Sequence, residues 1–552
     1  MPVITFDYQD LIALLGREVP SDELIAAIPM MGADFHHFDP ATGEMGIEFF
    51  PDRPDNYGVE GVARSLRTFL GFGKGMKRYP VRDSGIVMNV EESVRSVRPF
   101  VVAGVVRDLR ITDAFIKSLM EVQEKMHLTV GRRRAKVSIG IHDLDKVKAP
   151  FTYKGVEPDS VSFVPLARTE EMNLREILER HEKGVDYAYL LEGKDRFPVI
   201  FDCRGDVLSF PPIINGCLTT VTEKTTSIFI DVTGTDLPAI SGVLNIVATA
   251  MAERGGRIET VKVIGDRGSM VTPDLTPAEW DLDTGYCNQW LGLDLKPEDM
   301  AACLERMGLE AHVARSNLKV LVPATRMDIL HEVDLAEDVA KGYGYERFGH
   351  HPPEAQMVGG ERPVERAADL LRQLMIGYGY YEVTTLTLSS EKDQFDRLRL
   401  PRGDVVEVLN PISEDHTCLR VRLLPSLLAV LRKSKHRDLP QRIFEVGDVL
   451  SGINRRKHLG GVAIHAKASF TEMKSLMEGL MRDLSCQATI EPCDLGMYIE
   501  GRGAALMMSG EAVGTFGELH PTVVTSAELG YPITAFELDV EKVLGDRLAR
   551  VV

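Results

Sequence analysis

The apolar residues of this chain recur with two periods, and the alternation between them outlines a repeat. Near the N-terminus a Leu-Gly turn and a Pro-containing entry precede an amphipathic helix that ends in Met31 and Gly32. A strand follows, then an Arg-x-Asp element (Arg53, Asp55), then a second helix. About half a chain later the same order returns: Leu-Gly, a helix ending in Met307 and Gly308, a strand, Arg326 and Asp328, and another helix. Two copies this far apart do not make a solenoid. They predict two small domains of one type. What the copies share is assigned to fold; what only one carries is a candidate for function.

Between the copies the pattern is mixed. VRPFVVAGVVRDL, VIFDCRGDVLSF and TTSIFIDVTGTD predict strands, and AFIKSLMEVQEKMHLTVG and LPAISGVLNIVATAMAERG predict helices. This is an α+β block around a sheet. After the second copy, GHHPPE at 349–354 is the best linker candidate. Beyond it, VERAADLLRQLMIGYGY predicts a helix. YEVTTLTL, VVEVLNP, RIFEVGDVL, LGGVAIHA, AVGTFGEL and ITAFELDV predict strands. The expected domains are 1–88, 89–266, 267–348 and 359–552.

Composition narrows the class. With 552 residues, 44% of them hydrophobic, several domains can each bury a core. No apolar run reaches membrane-spanning length, and the start lacks a basic stretch followed by an apolar one. The seven cysteines are scattered with no CxxC, which fits a reducing compartment and argues against a zinc site or a disulfide framework. A soluble, cytoplasmic protein with no membrane contact is expected. The net charge of −18 argues against a surface wrapped in nucleic acid. Local basic patches remain at 132–136 and 432–437, each equally readable as a solvated face.

Two constellations carry candidate chemistry. In HEVDLAEDVAK, Asp334, Glu337 and Asp338 stand at i, i+3 and i+4 on one helix face, with Asp328 six residues before Asp334. Four carboxylates repel one another unless a cation or a basic partner sits among them, and magnesium takes such oxygen ligands. An acidic first turn that complements the helix dipole is the plainer alternative, but the matching stretch of the first copy has only Glu60. The second constellation is Asp231 and Thr233 at the end of an apolar strand, readable as a polar pocket or as turn chemistry. No P-loop, HExxH or GxSxG occurs.

Taken together, PDRPDNYGVEGVAR, LSFPPIINGCLTTVTEKTTSIFIDVTGTD, RMDILHEVDLAEDVAKGYGYERF, LNPISEDHTCLRVRLLPSLLAVL, RIFEVGDVL and GELHP resemble the β subunit of phenylalanyl-tRNA synthetase, of the short archaeal kind. They lie in the family's order and span nearly the whole chain. The resemblance implies an α+β multidomain protein. It would hold two related small helical, winged-helix-like domains, a mixed α/β editing-type domain and a degenerate class II synthetase antiparallel-sheet domain. It implies Mg2+, shared with the α subunit, on Asp328, Asp334, Glu337 and Asp338, the last often Glu in the family. It places an editing pocket at Ser209, Asp231 and Thr233. The partners implied are the α subunit, in an α2β2 tetramer, and tRNA(Phe), with ATP used by the complex. The family's phosphate-binding arginines have no counterpart in RIFEVGDVL or AFELDVEK, so this chain is not expected to make aminoacyl-adenylate. No OB-like insert and no C-terminal anticodon-binding domain are expected. An apolar phenylalanine pocket rejects tyrosine only about 100-fold, which is the physical motive for hydrolytic editing. A stand-alone tRNA deacylase or tRNA-binding module, and a magnesium-dependent enzyme acting alone, are the competing readings.

Overall fold

The Leu-Gly and Met-Gly pairs of the sequence are helix ends. The computed structural model describes residues 3–266, 268–315, 317–350 and 359–545. In the first copy the helix Tyr8–Leu15 starts where the Asp7 side chain accepts the Gln9 N–H, and it stops at Gly16 with φ 72°. In the second, Thr284–Leu291 starts at Asp283, which accepts the Tyr286 N–H, and stops at Gly292 with φ 66°. Only glycine takes that left-handed cap without cost. Both copies then follow the same order of strand, two helices, two strands and a closing helix. Their three-stranded antiparallel sheets also match. One runs Val3–Asp7, Glu44–Phe49, Ala33–Asp39; the other runs Ala278–Asp283, Asn317–Val322, Glu310–Ala314. The closing helices are Val59–Phe69 and Glu332–Tyr343.

The middle block is a ten-stranded mixed sheet. One end of it is Phe100–Arg107, Ile228–Gly234 and Val137–Asp143, the middle strand antiparallel to both others and the last at the edge. The helix Leu237–Glu253 packs on one face, and Asp113–Leu128 lies against Val137–Asp143. Every residue of Ile228–Gly234 is buried, so its polar members Asp231 and Thr233 lie inside the protein. The sheet also takes in Val81–Val90 and Gly268–Thr272, which fall outside the expected 89–266 segment. These strands satisfy hydrogen-bonding groups of Arg257–Gly265, a requirement that no local pattern announces.

The chain divides into two compact units, Met1–His351 and Pro352–Val552. Most of the expected linker, 351–354, lies outside the described residues. In the second unit a seven-stranded sheet runs Tyr381–Glu382, Gln441–Ser451, Asn454–Ile464, Ile533–Asp539, Glu511–Leu519, Tyr498–Met508, Thr489–Pro492. Period-2 alternation sends Phe444 toward the helices Pro363–Gly377 and Phe470–Asp483, and Ile443 toward Leu424–Lys433. Two predicted strands differ. YEVTTLTL forms only the short pieces Tyr381–Glu382 and Leu388–Ser389, and VVEVLNP makes a single bridge from Glu407 to Cys418. Leu409 and Ile412 are exposed there. Prolines 401 and 411 bracket this run, and its only partner among the described strands is the two-residue Cys418–Leu419. All seven cysteines are free thiols. Among the described residues no helix is long and apolar enough to cross a membrane.

Each closing helix carries a glycine pressed against backbone. A Cβ on Gly61 would lie 1.8 Å from the Asp55 carbonyl oxygen, and one on Gly342 would lie 2.2 Å from that of Cys303. Gly61→Ala or Gly342→Ala should therefore lower stability by about 1–3 kcal/mol through overpacking, despite alanine's better helix propensity. A melting temperature equal to or above wild type in thermal unfolding would contradict the tight approach.

Candidate functional site

A cavity of about 550 Å³ opens between the helix Asp113–Leu128, the strand Val137–Asp143 and the segment 209–216. Its walls are apolar: Ile111, Phe115, Leu119, Ile139, Ile141 and Ile213. Polar groups interrupt them, among them Gln123, Glu124, Arg134, Lys183, Ser209 and Asp231. Asp231 Oδ2 lies 2.7 Å from His142 Nε2, and His142 Nδ1 lies 2.8 Å from Thr219 Oγ1. The imidazole is fully buried. Sheet register places Gly140 opposite Asp231, where a Cβ would stand 2.0 Å from Asp231 Oδ2. The glycine therefore makes room for the Asp231–His142 bond.

Ser209 lines the same cavity. It is 2% exposed, and its Oγ has no hydrogen-bond partner among the described residues. A buried hydroxyl left unpaired costs about 1–3 kcal/mol, so an orphan in a cavity wall asks for a ligand group. Thr233 has a different place. It is not part of the cavity lining; its Oγ1 accepts from Arg98 Nε at 2.9 Å, and Arg98 Nη2 donates to its carbonyl at 2.7 Å. Arg98 is fully buried, which lowers its pKa to about 10. Two of the three expected residues thus meet at the cavity, and the third anchors a buried arginine beside Asp231. His142 and Thr219 were not anticipated. The only local hint is a histidine inside the apolar strand IGIHD.

The cavity's rim is built by an unusual turn. Arg132, Arg133 and Arg134 follow one another with φ of 48°, 52° and 67°. Left-handed backbone costs such residues about 1–2 kcal/mol each. The Arg134 side chain offsets this. It donates to the Ile213 and Pro212 carbonyls at 2.8 and 3.3 Å, reaches Glu124 at 3.3 Å, and lies 4.4 Å over the Tyr187 ring. Beside it His127 Nε2 accepts the Ile139 N–H at 2.9 Å, and burial brings the imidazole down to about 4, so it is neutral. Contact with His127, and then the charge of Arg134, hold Glu124 near 2.

The four acids of the second copy do not converge. Asp328 and Asp338 share the guanidinium of Arg326, with Nη2 at 2.6 and 2.7 Å. Burial alone would lower the Arg326 pKa, but Asp338 and Asp328 raise it well above the ordinary value. Asp334 turns back to accept the Leu330 and His331 N–H groups, each at 2.7 Å, in a capping box. Glu337 points outward to Lys341 at 2.9 Å. The expected shared face is dismantled by two competing demands, the orphan N–H groups of the helix start and the buried arginine. Arg326 is the cation that the cluster requires. Among the described residues no three metal-capable side chains gather, so the donor set does not fit a four-carboxylate magnesium site. The first copy repeats the motif: Arg53 donates to Asp55 at 2.8 and 3.0 Å. Burial pushes Asp55 up, yet Arg53 and Arg64 bring it down to about 2. A second cavity of about 670 Å³ adjoins these pairs, but its arginines 53, 67 and 326 are already matched by Asp55, Glu253, Asp328 and Asp338.

Three family models match successive stretches of the chain. They are the B3/4 domain at 105–263, the tRNA synthetase B5 domain at 280–345, and the phenylalanyl tRNA synthetase beta chain CLM domain at 350–540. The chain is therefore assembled from aminoacyl-tRNA synthetase modules, and the cavity lies within the first of them. A phenylalanine–tRNA ligase beta subunit from Methanothrix thermoacetophila is 46% identical over 98% of this chain and 100% of its own length. That from Archaeoglobus fulgidus is 43% identical, covering 98% of each chain. A crystal structure of an N-terminal fragment of the Pyrococcus horikoshii phenylalanyl-tRNA synthetase beta subunit superposes with a TM-score of 0.60 at 38% identity, over 62% of this chain and 99% of the fragment. The chain belongs to the phenylalanine–tRNA ligase beta subunit family of the archaeal type.

If Asp338 is a structural counter-charge, Asp338→Asn should cost about 3–5 kcal/mol, because it leaves a buried guanidinium under-compensated. Glu337→Gln, which removes an exposed carboxylate from a buried Lys341, should cost less than Asp338→Asn. Urea unfolding of both variants checks this; equal, small effects would contradict the assignment.

Proposed function

We propose that this chain is the β subunit of a phenylalanine–tRNA ligase. Together with an α subunit, in an α2β2 tetramer, it serves the ATP-dependent attachment of phenylalanine to tRNA(Phe) in the cytoplasm. In this proposal its own chemistry is hydrolytic editing of tyrosyl-tRNA(Phe) in the 550 Å³ cavity. The observation that carries the proposal is the presence of an orphan hydroxyl, Ser209, and a buried carboxylate, Asp231, in the lining of one cavity with mostly apolar walls.

The apolar walls accept an aromatic ring. His142 occupies Oδ2 of Asp231, leaving Oδ1 to accept a phenolic O–H, and Ser209 Oγ is placed to bond the phenolic oxygen. A tyrosyl group satisfies both; a phenylalanyl group leaves both unpaired, which is the stronger form of discrimination. In hydrolysis, water oxygen bonds to the ester carbonyl carbon, the bond to the ribose oxygen breaks, and that oxygen takes a proton. Tyrosine leaves with its carboxylate restored.

The second unit supports a non-catalytic role in adenylate formation. Glu537 accepts the Leu423 and Leu424 N–H groups and faces His458, in a cavity of about 240 Å³ that Asp539 also lines. Arg442 is engaged with Glu472 at 3.0 Å. The carboxylates of Glu537 and Asp539 share this cavity with Arg422 and Lys542.

The assembled complex carrying Asp231→Ala should deacylate pre-formed tyrosyl-tRNA(Phe) about 5- to 150-fold more slowly, the equivalent of losing about 1–3 kcal/mol of hydrogen bonding. Phenylalanine charging should stay near normal. Parallel deacylation and charging assays decide it. Wild-type deacylation by a normally folded variant would remove Asp231 from the site, and loss of both activities together with stability would make it a core residue.

A further inference from the structure

We propose that Arg132 and Arg133 form an RNA-phosphate contact at the mouth of the cavity, gripping the acceptor end of an aminoacyl-tRNA while its ester enters. The inference rests on the deacylation proposal above. Three observations carry it.

The first is the division of labour among three consecutive arginines. Arg134 is nine-tenths buried, lines the cavity, and is bound to two carbonyls and Glu124, yet its Nε has no partner. Arg132 and Arg133 are exposed. The ion pairs of this turn among the described residues are Arg134–Glu124 and Lys136–Asp236; Arg132 and Arg133 have none within 4.0 Å.

The second is the backbone. Three successive residues at positive φ are held by Arg134 N donating to the His127 carbonyl at 3.1 Å and Lys136 N to that of Gly131 at 2.8 Å. Arg98 Nη1 also reaches the Ala135 carbonyl at 3.2 Å. Strain maintained this thoroughly marks a position where side-chain placement matters.

The third is the neighbourhood. Tyr189 is 53% exposed and its hydroxyl donates to the Arg133 carbonyl at 3.4 Å; Lys183 lines the cavity. Exposed arginines and an exposed aromatic residue thus share this turn, and such residues together bind single-stranded nucleic acid, phosphate by charge and base by stacking. The substrate's own chemistry places the phosphates there. An amino acid esterified to the terminal ribose fills the cavity, so the phosphodiester chain has to leave through its mouth.

The test uses the complex and two substrates, tyrosyl-tRNA(Phe) and 3′-tyrosyl-adenosine, which carries the ester without any phosphodiester. The variants are Arg132→Gln/Arg133→Gln and Arg132→Lys/Arg133→Lys. The Gln variant should hydrolyse 3′-tyrosyl-adenosine like wild type. On tyrosyl-tRNA its kcat/KM should fall about tenfold, and the salt dependence of tRNA binding should flatten by about one to two in log–log slope. The Lys variant should recover most of both. An unchanged salt slope and kcat/KM on tRNA would overturn the proposal, as would equal losses on both substrates, which mean distortion of the cavity. Wild-type inertness toward both substrates would instead overturn the deacylation proposal, and this inference with it.

Discussion

A charge withdrawn from water has to be met by an opposite charge or by hydrogen bonds, at a cost of several kcal/mol if it is not. The first unit of this chain is organised around that demand. Arg254, just past the helix Leu237–Glu253, binds Asp10 at 2.7 Å and Glu60 at 2.6 Å, both from the first repeat copy. Glu253 beside it takes Arg67 and Lys77 at 3.1 and 2.8 Å. Arg326 absorbs Asp328 and Asp338 in the second copy. These pairs lock the first repeat onto the middle block and fix the closing helix of the second. Removing one partner is expensive, which makes the arrangement specific even where its net contribution to stability is small.

The cavity of the middle block is where this accounting is left open. Asp231 is satisfied through one oxygen by His142, itself held by Thr219, while Ser209 is not satisfied at all. A site that keeps a rigid carboxylate and an unused hydroxyl in an apolar enclosure is prepared for one polar atom on an otherwise apolar ligand. The hydrogen-bonded chain behind Asp231 keeps its orientation before any ligand arrives, which lowers the cost of binding.

How far this was legible in the sequence depended on whether a feature is local. The repeat could be read because its markers, Leu15-Gly16, Leu291-Gly292, Met31-Gly32 and Met307-Gly308, are the caps that end helices. The strand around Asp231 could be read from its apolar run. The partner of Asp231 could not, since His142 lies 89 residues away and meets it only across a sheet register. The hydrogen bonding of the acid set was not legible for a related reason. Helical spacing puts Asp334, Glu337 and Asp338 on one side, but it does not say that Asp334 will cap its own helix or that Arg326 will claim Asp338. Thr233 shares a strand face with Asp231, yet Arg98, 135 residues earlier, takes it. The VVEVLNP segment had strand propensity but pairs only with the short strand Cys418–Leu419, and context overrode propensity.

The central claim is that Ser209 and Asp231 recognise a phenolic hydroxyl inside the cavity. A crystal structure of the α–β complex with a non-hydrolysable amide analogue of 3′-tyrosyl-adenosine tests it most directly. The account predicts the ring between Phe115 and Ile213, with the phenolic oxygen within about 3.2 Å of both Ser209 Oγ and a carboxylate oxygen of Asp231. An analogue bound outside this cavity, or inside it with the phenol turned to solvent, would contradict it.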